Sequence, residues 1–171
     1  MNKFCVKPLS TKAIRQLVQA LRKESKLNNV IYFPIVQFIE WLLCDPDNGV
    51  DYEIVPIDEM NDTYGITNTS DNVLRIREDV YKGAVFGNPR DRFTLCHEVG
   101  HFFLHQPDRV EFARGTIPAF RDPEWQANMF AAELMAPYEL ANGLSVKEIS
   151  EKFGMSLQAA QIRYNQCNSR C

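Results

Sequence analysis

The five residues His97-Glu98-Val99-Gly100-His101 constrain this chain more than any other stretch. They sit inside the run Arg92-Phe-Thr-Leu-Cys-His-Glu-Val-Gly-His-Phe-Phe-Leu-His105. On a helix, residues four apart share one face, a turn apart. His97 and His101 can therefore present two imidazole nitrogens to one metal ion. Glu98 is turned about 100° from His97. It can reach a water at the metal without taking a coordination position. Two ligands and an adjacent carboxylate base are what a zinc peptidase requires. A pattern this short also arises by chance, on a helix with two ordinary histidines. Two features set this one apart. The chain has 3 histidines, and all of them (His97, His101 and His105) fall in this run. The flanking Phe93, Leu95, Val99, Phe102, Phe103 and Leu104 are apolar, which would wall the site from bulk water.

A catalytic zinc site has three protein ligands and one open position. His105 lies eight residues beyond His97 and is rotated about 80° around the helix, so it is poorly aimed at the same ion. The H-E-x-x-H-x-x-G-x-x-H spacing also fails, because position 107 is proline. His105 is read as a group supporting the site or stabilising an oxyanion, with capping or packing as the plain alternative. Carboxylates remain. Glu124 falls in the first turn of a following helix, where the macrodipole favours an anion. Asn128 and Ala131 share its face, and the small residues Ala127, Ala131 and Ala132 suit close packing on Gly100. Glu133, nine positions on, points about 180° away. Glu124 is therefore the expected third ligand, and Glu133 is expected in a surface ion pair.

A length of 171 residues allows one domain with a real core, or a domain and a small appendage. A net charge of −3 argues against bulk electrostatic binding to DNA or anionic membrane. The cysteines Cys5, Cys44, Cys96, Cys167 and Cys171 are odd in number and form no C-x-x-C pair. They read as reduced thiols of a cytoplasmic protein. The first residues lack the apolar stretch of a signal peptide. The most apolar run, 30–44, is broken by Gln37 and Glu40 and is too short to span a bilayer, so no membrane role is expected.

Hydrophobic spacing predicts an amphipathic helix over 10–26, with Ile14, Leu17, Val18 and Leu21 inward. Lys12, Arg15, Arg22, Lys23 and Lys26 would form a basic outer face. A second helix, 34–44, is apolar nearly all round and should be buried; a turn at 45–49 ends it. Short β-like runs at 52–57, 64–67 and 73–76 suggest a small antiparallel sheet. Residues 79–86 are ambiguous. Asn88-Pro89 opens the motif helix over 89–105, which Gln106-Pro107-Asp108 closes. Gly100 in its interior costs about 1 kcal/mol relative to alanine, a cost that close approach by another helix would explain. A loop or edge segment runs to Phe120, and Asp122 caps the next helix. Pro137 starts a short one. Ser145-Val-Lys-Glu148 is a capping box opening a helix to Gly154, and Ser156 caps the last.

The runs Arg92–His105 and Glu124-Trp-Gln-Ala-Asn-Met-Phe-Ala-Ala-Glu-Leu-Met-Ala-Pro137 together resemble the ImmA/IrrE family of metallo-endopeptidases. The likeness spans about 92–137 and continues more weakly to Tyr164. Cys96 stands where alanine is usual, and Met135-Ala136-Pro137 replaces a leucine-methionine-proline ending. The resemblance implies zinc held by His97, His101 and Glu124, a glutamate third ligand of the gluzincin type, with Glu98 as base. It also implies a substrate class: helix-turn-helix repressors or antitoxins encoded nearby, in mobile elements or prophages, stress responses and toxin–antitoxin pairs.

The expected fold is α+β. A zincin-like peptidase core with N-terminal helices would occupy residues 1–143, and a helix-turn-helix-like pair residues 144–171. In that pair Ile149 and Phe153 would pack under the turn, and Ala159, Ala160 and Ile162 would bury the second helix. Gln158, Gln161, Arg163 and Asn165 are types that read base edges, but packing or substrate docking is favoured over DNA reading. The main expectation is a zinc endopeptidase that cuts a repressor or antitoxin. Tyr81, Tyr138 and His105 are the candidate oxyanion donors. The rival is a regulator or toxin component that binds repressor, antitoxin or DNA without cutting. Manganese or iron would suit the same ligands.

Overall fold

Ser10 accepts a hydrogen bond from the Ala13 N–H at 3.1 Å and starts helix α1, Thr11–Glu24. The structure is a computed structural model that describes residues 3–43, 50–106, 110–113 and 116–169. Cys44, Cys171, the turn expected at 45–49 and the stop at Pro107-Asp108 lie outside the described residues. Ile14 and Val18 of α1 enter the core and Leu21 packs against it as the periodicity predicts, but Leu17, expected inward, is exposed. The basic face is less uniform than expected, because Arg22 turns inward. The chain beyond α1 folds back over its last turn, so Arg22 donates to Val30 O and, at 2.6 Å, to Leu134 O.

Helix α2, Ile35–Gln37, continues as a π-helical stretch, Phe38–Leu43. Ile35, Val36, Phe38 and Ile39 are buried, as an all-round apolar helix should be. Strand β1, Lys3–Val6, pairs antiparallel with β5, Val110–Ala113. That second sheet went unforeseen, since 106–120 read as a loop or edge.

The main sheet holds β2, Asp51–Val55, β3, Gly65–Asn68, and β4, Val73–Arg77, in the order β2-β4-β3. It is mixed rather than antiparallel throughout: β3–β4 is an antiparallel hairpin, but β2 runs parallel to β4. The physical reason is the short helix α3, Ile57–Met60. It carries the chain past one strand position, so the hairpin returns with β4 beside β2. Leu74 and Ile76 point from β4 into the core.

The ambiguous segment is helical, α4, Glu78–Val85. Asn88 then accepts from the Arg90 and Asp91 N–H groups at 3.0 and 3.3 Å and starts α5, Pro89–Leu104. Asp122 likewise caps α6, Pro123–Met135. These two helices make the central contact of the molecule. A Cβ at Gly100 would stand 3.2 Å from both Ala127 Cα and Phe130 Cβ. The glycine is where the sequence argument put it, at the crossing of two helices.

After α7, Tyr138–Ala141, come α8, Val146–Phe153, and α9, Leu157–Asn168. The Ser145–Glu148 capping box is formed, and Gly154 ends α8 with φ +65°. Ile149, Phe153 and Ala160 join the core as expected, but Ile162 is 52% exposed. Two charged residues were misplaced by sequence reasoning. Arg163 is inside, donating to Ala136 O at 2.8 Å and to Glu133 Oε2 at 2.6 Å. Glu133 is therefore in a buried ion pair, not a surface one. The cause is that the face of α6 opposite Glu124 is covered by α1 and reached by Arg163 of α9, which α6's own periodicity cannot announce. Gln158, Gln161 and Asn165 do remain exposed. Among the described residues no helix is long and apolar enough to cross a membrane.

Candidate metal centre

One turn of α5 carries His97 and His101, and the first turn of α6 brings Glu124 opposite them. The two Nε2 atoms lie 2.9 Å apart. Glu124 Oε2 is 3.3 Å from His97 Nε2, and its Oε1 is 3.4 Å from His101 Nε2. One ligand atom from each residue falls within 4.8 Å of the others. Two bonds of about 2.1 Å at a tetrahedral angle span about 3.4 Å, so these separations fit one ion. Two imidazoles and a carboxylate are also a donor set that zinc accepts.

Helix α6 holds more than the carboxylate. Asn128, one turn after Glu124, places Oδ1 at 2.9 Å from His97 Nδ1 and leaves Nε2 for the centre. Hydrogen bonds with His101 and His97 hold the Glu124 carboxyl well below the usual carboxylate range. Burial disfavours a charged His97, but Glu124, Glu98 and Asn128 outweigh it and raise its pKa. His105 caps α5 and sits behind His101, with Nδ1 to Nδ1 at 2.8 Å and its own Nε2 3.2 Å from Gln126 Oε1. Burial, with His101 beside it, pushes His105 down to about 4, so it is neutral at pH 7.

Glu98 is 8% exposed and lines a cleft of about 450 Å³ together with His97 and Asn128. Its carboxylate accepts from the Thr67 hydroxyl at 2.8 Å, and Thr67 Oγ1 is also 3.0 Å from Glu98 O. Thr67 comes from β3, whose first residue, Gly65, makes the approach possible. A Cβ there would stand 2.6 Å from Glu98 Cγ and 2.9 Å from Cδ. We expect Gly65→Ala to push Glu98 aside and cut turnover roughly tenfold or more, since small misplacements of reacting groups are costly. Metal content should not change; loss of metal together with activity would show damage to α5 rather than to Glu98.

His97, His101, Glu124 and Glu98 are thus brought together. His105 does not line the cleft. Neither tyrosine expected as an oxyanion donor does: Tyr81 donates to Glu40 Oε1 at 2.6 Å, and the Tyr138 ring lies under Arg15, 4.0 Å from its guanidinium carbon. Tyr64, read from sequence only as the start of a strand, does line the cleft. Its ring lies between Arg77 and Arg90, at 4.4 and 4.5 Å. Thr67, Gly65 and Gln126 carried no sequence signal. The first two belong to a strand far along the chain from the motif. Gln126 is two residues from Glu124, about 200° around the helix.

Two packed helices thus bring two imidazoles and a carboxylate together as a candidate metal centre, with a buried glutamate beside them. Residues 84–165 match the family profile of the IrrE N-terminal-like domain. The chain is similar to the metallopeptidase ImmA of Bacillus subtilis (strain 168), 24% identical over 168 residues, covering 94% of this chain and 89% of that protein. No solved structure matches it. Both likenesses point to metallopeptidases of the ImmA/IrrE kind.

Proposed function

We propose that the chain is a zinc-dependent endopeptidase acting on a helix-turn-helix repressor or antitoxin, and so relieving repression. The observation that carries the reading is the convergence of His97, His101 and Glu124 with Glu98 buried beside them at one cleft. A metal held by the three ligands supplies a Lewis acid for the scissile carbonyl and the attacking water. Glu98 takes the water's proton and passes it to the leaving amine. Thr67 holds the carboxylate in place for that transfer. β3 is an edge strand of its sheet, and Tyr64 and Gly65 line the cleft. An extended substrate segment can therefore add to the sheet beside Glu98. A structural zinc site is closed by four protein ligands, whereas the cluster found among the described residues has three.

The substrate class is the one the family resemblance implies, and the buried Arg163 weakens direct DNA reading by α9. The test is co-expression with the helix-turn-helix protein encoded beside this chain, followed by intact mass of that protein. A discrete cut is expected. An intact partner under conditions where repression is nonetheless relieved would make this a binding regulator.

Metal should also tie α5 to α6. At a hundredfold excess over its Kd, a metal bound only by the native state adds about 2.7 kcal/mol. Chelation should then lower Tm by roughly 5–10 °C. An unchanged melt, with metal removal confirmed by elemental analysis, would contradict a cross-link between these helices.

A further inference from the structure

Beside the centre, a second cavity of about 440 Å³ lies between α6 and α9. Its walls are Trp125 and Met129 of α6, Met155 of the turn before α9, Ala159 and Ile162 of α9, and Phe93 of α5. It joins the cleft that Glu98 lines, because Phe93 and Asn128 border both. Phe93 stands one turn before His97, and Asn128 one turn after Glu124. The mouth is therefore one helical rise, about 5.4 Å, from a candidate ligand on each helix. An extended chain advances about 3.3 Å per residue. A substrate held at Glu98 thus reaches the mouth within about two residues. Among the described residues no charged side chain lines the cavity. Its polar groups are engaged with the protein. Gln166 donates to Met129 Sδ at 3.1 Å and accepts from Arg163 at 3.2 Å. Ser156 Oγ accepts from the Ala159 N–H at 3.1 Å, and Asn128 Oδ1 faces His97. Gln158 lies exposed at the rim. What stays open is aromatic, thioether and aliphatic surface. Ile162, expected to bury α9, instead stands 52% exposed on it.

We propose that this cavity is a specificity pocket taking one large apolar side chain of the substrate (leucine, isoleucine, methionine or phenylalanine) from within about two residues of the scissile bond. The C-terminal helical pair serves the reaction by supplying the pocket's outer wall. A charged side chain entering there loses its hydration and finds no partner, whereas an apolar one gains by leaving water. The volume falls within the range of ligand pockets, about 300–1,000 Å³, so the largest apolar side chains fit. Met129 and Met155 have the flexible, polarizable side chains that adjust to apolar groups of different shape. The proposal rests on the endopeptidase reading; the pocket's preference for an apolar side chain can be read without turnover.

The test has two parts. In chain labelled at the methionine methyls with ¹³C, a blocked alanine–leucine–alanine tripeptide at millimolar concentration should shift the Met129 and Met155 signals. Met60 and Met135, buried away from the cavity, are the internal controls and should hold still. The all-alanine tripeptide should move none of them. Silent Met129 and Met155 signals, or all four moving alike, would overturn the proposal, and this spectrum needs neither a variant nor turnover. In the second part, zinc-loaded chain cuts the helix-turn-helix protein encoded beside it, and intact mass locates the cut. Each large apolar residue within two positions of the cut is then changed to alanine. One such change should lower kcat/KM about 10–200-fold. In Ala159→Leu, which fills the pocket from α9, the same change should cost less than about threefold, because the two groups meet in one space. Metal content by elemental analysis should match in both chains. A cut flanked only by small or charged residues, or an equal loss in both backgrounds, would sink the pocket and leave the endopeptidase reading standing. Shifts at Met129 and Met155 without any cut would remove the endopeptidase reading, and with it the pocket's role in cleavage.

Discussion

Glu98→Gln should keep metal binding, keep the fold and leave the proposed repressor substrate whole. Glutamine has nearly the shape of glutamate and can still accept the Thr67 hydrogen bond, so the buried corner beside Gly65 stays filled. What it lacks is the ability to take a proton. Loss of a general base costs about 10² to 10⁴ in rate, enough to remove visible cleavage on the time scale of co-expression. His97, His101 and Glu124 are untouched, so metal content by elemental analysis should match wild type. The partner should still bind, since the docking surface is unchanged. Cleavage that survives in Glu98→Gln would assign the base elsewhere. Equal relief of repression by both forms, with the repressor intact, would remove catalysis from the account altogether.

Glu133→Ala is expected to be strongly destabilising although it lies outside the centre. Glu133 is 1% exposed and Arg163 0%. The carboxylate accepts from Arg163 at 2.6 Å and from the Tyr138 N–H at 2.8 Å, and Arg15 Nε approaches it to 3.5 Å. Alanine leaves a guanidinium sealed between α6 and α9 without its counter-charge. Breaking a buried pair from one side costs about 3–5 kcal/mol. For a chain of this size that is a fall in Tm on the order of 10 °C. Replacing both partners, Glu133→Leu with Arg163→Met, should recover most of the loss, because no charge is then left buried. A single-variant loss below about 1 kcal/mol would show the pair open to water in solution. Bound metal at temperatures below the melt should not change, since Glu133 faces away from the centre.

The sequence by itself carried the placement of the candidate metal ligands on two helices, because that information is local. A four-residue spacing puts His97 and His101 on one face. Caps at Asn88 and Asp122 fix where both helices begin, and a glycine between apolar neighbours marks their crossing. Helix starts, the capping box and the core stripe of α1 were legible for the same reason. Each depends on residues within a turn or two. What only the tertiary structure decided depends on residues far apart in the chain. The parallel pairing of β2 with β4 follows from where α3 sets the chain down. Arg22, Glu133 and Arg163 look like surface charges in any helical projection, and become buried because a loop or a second helix closes over them. The surroundings of the centre belong to this second kind. Thr67 and Gly65 reach Glu98 from a sheet, and Gln126 reaches His105 from the far side of α6. Helical period states which residues share a face; it says nothing about what covers that face, and here the covering elements supply the groups that hold Glu98 and His101 in place.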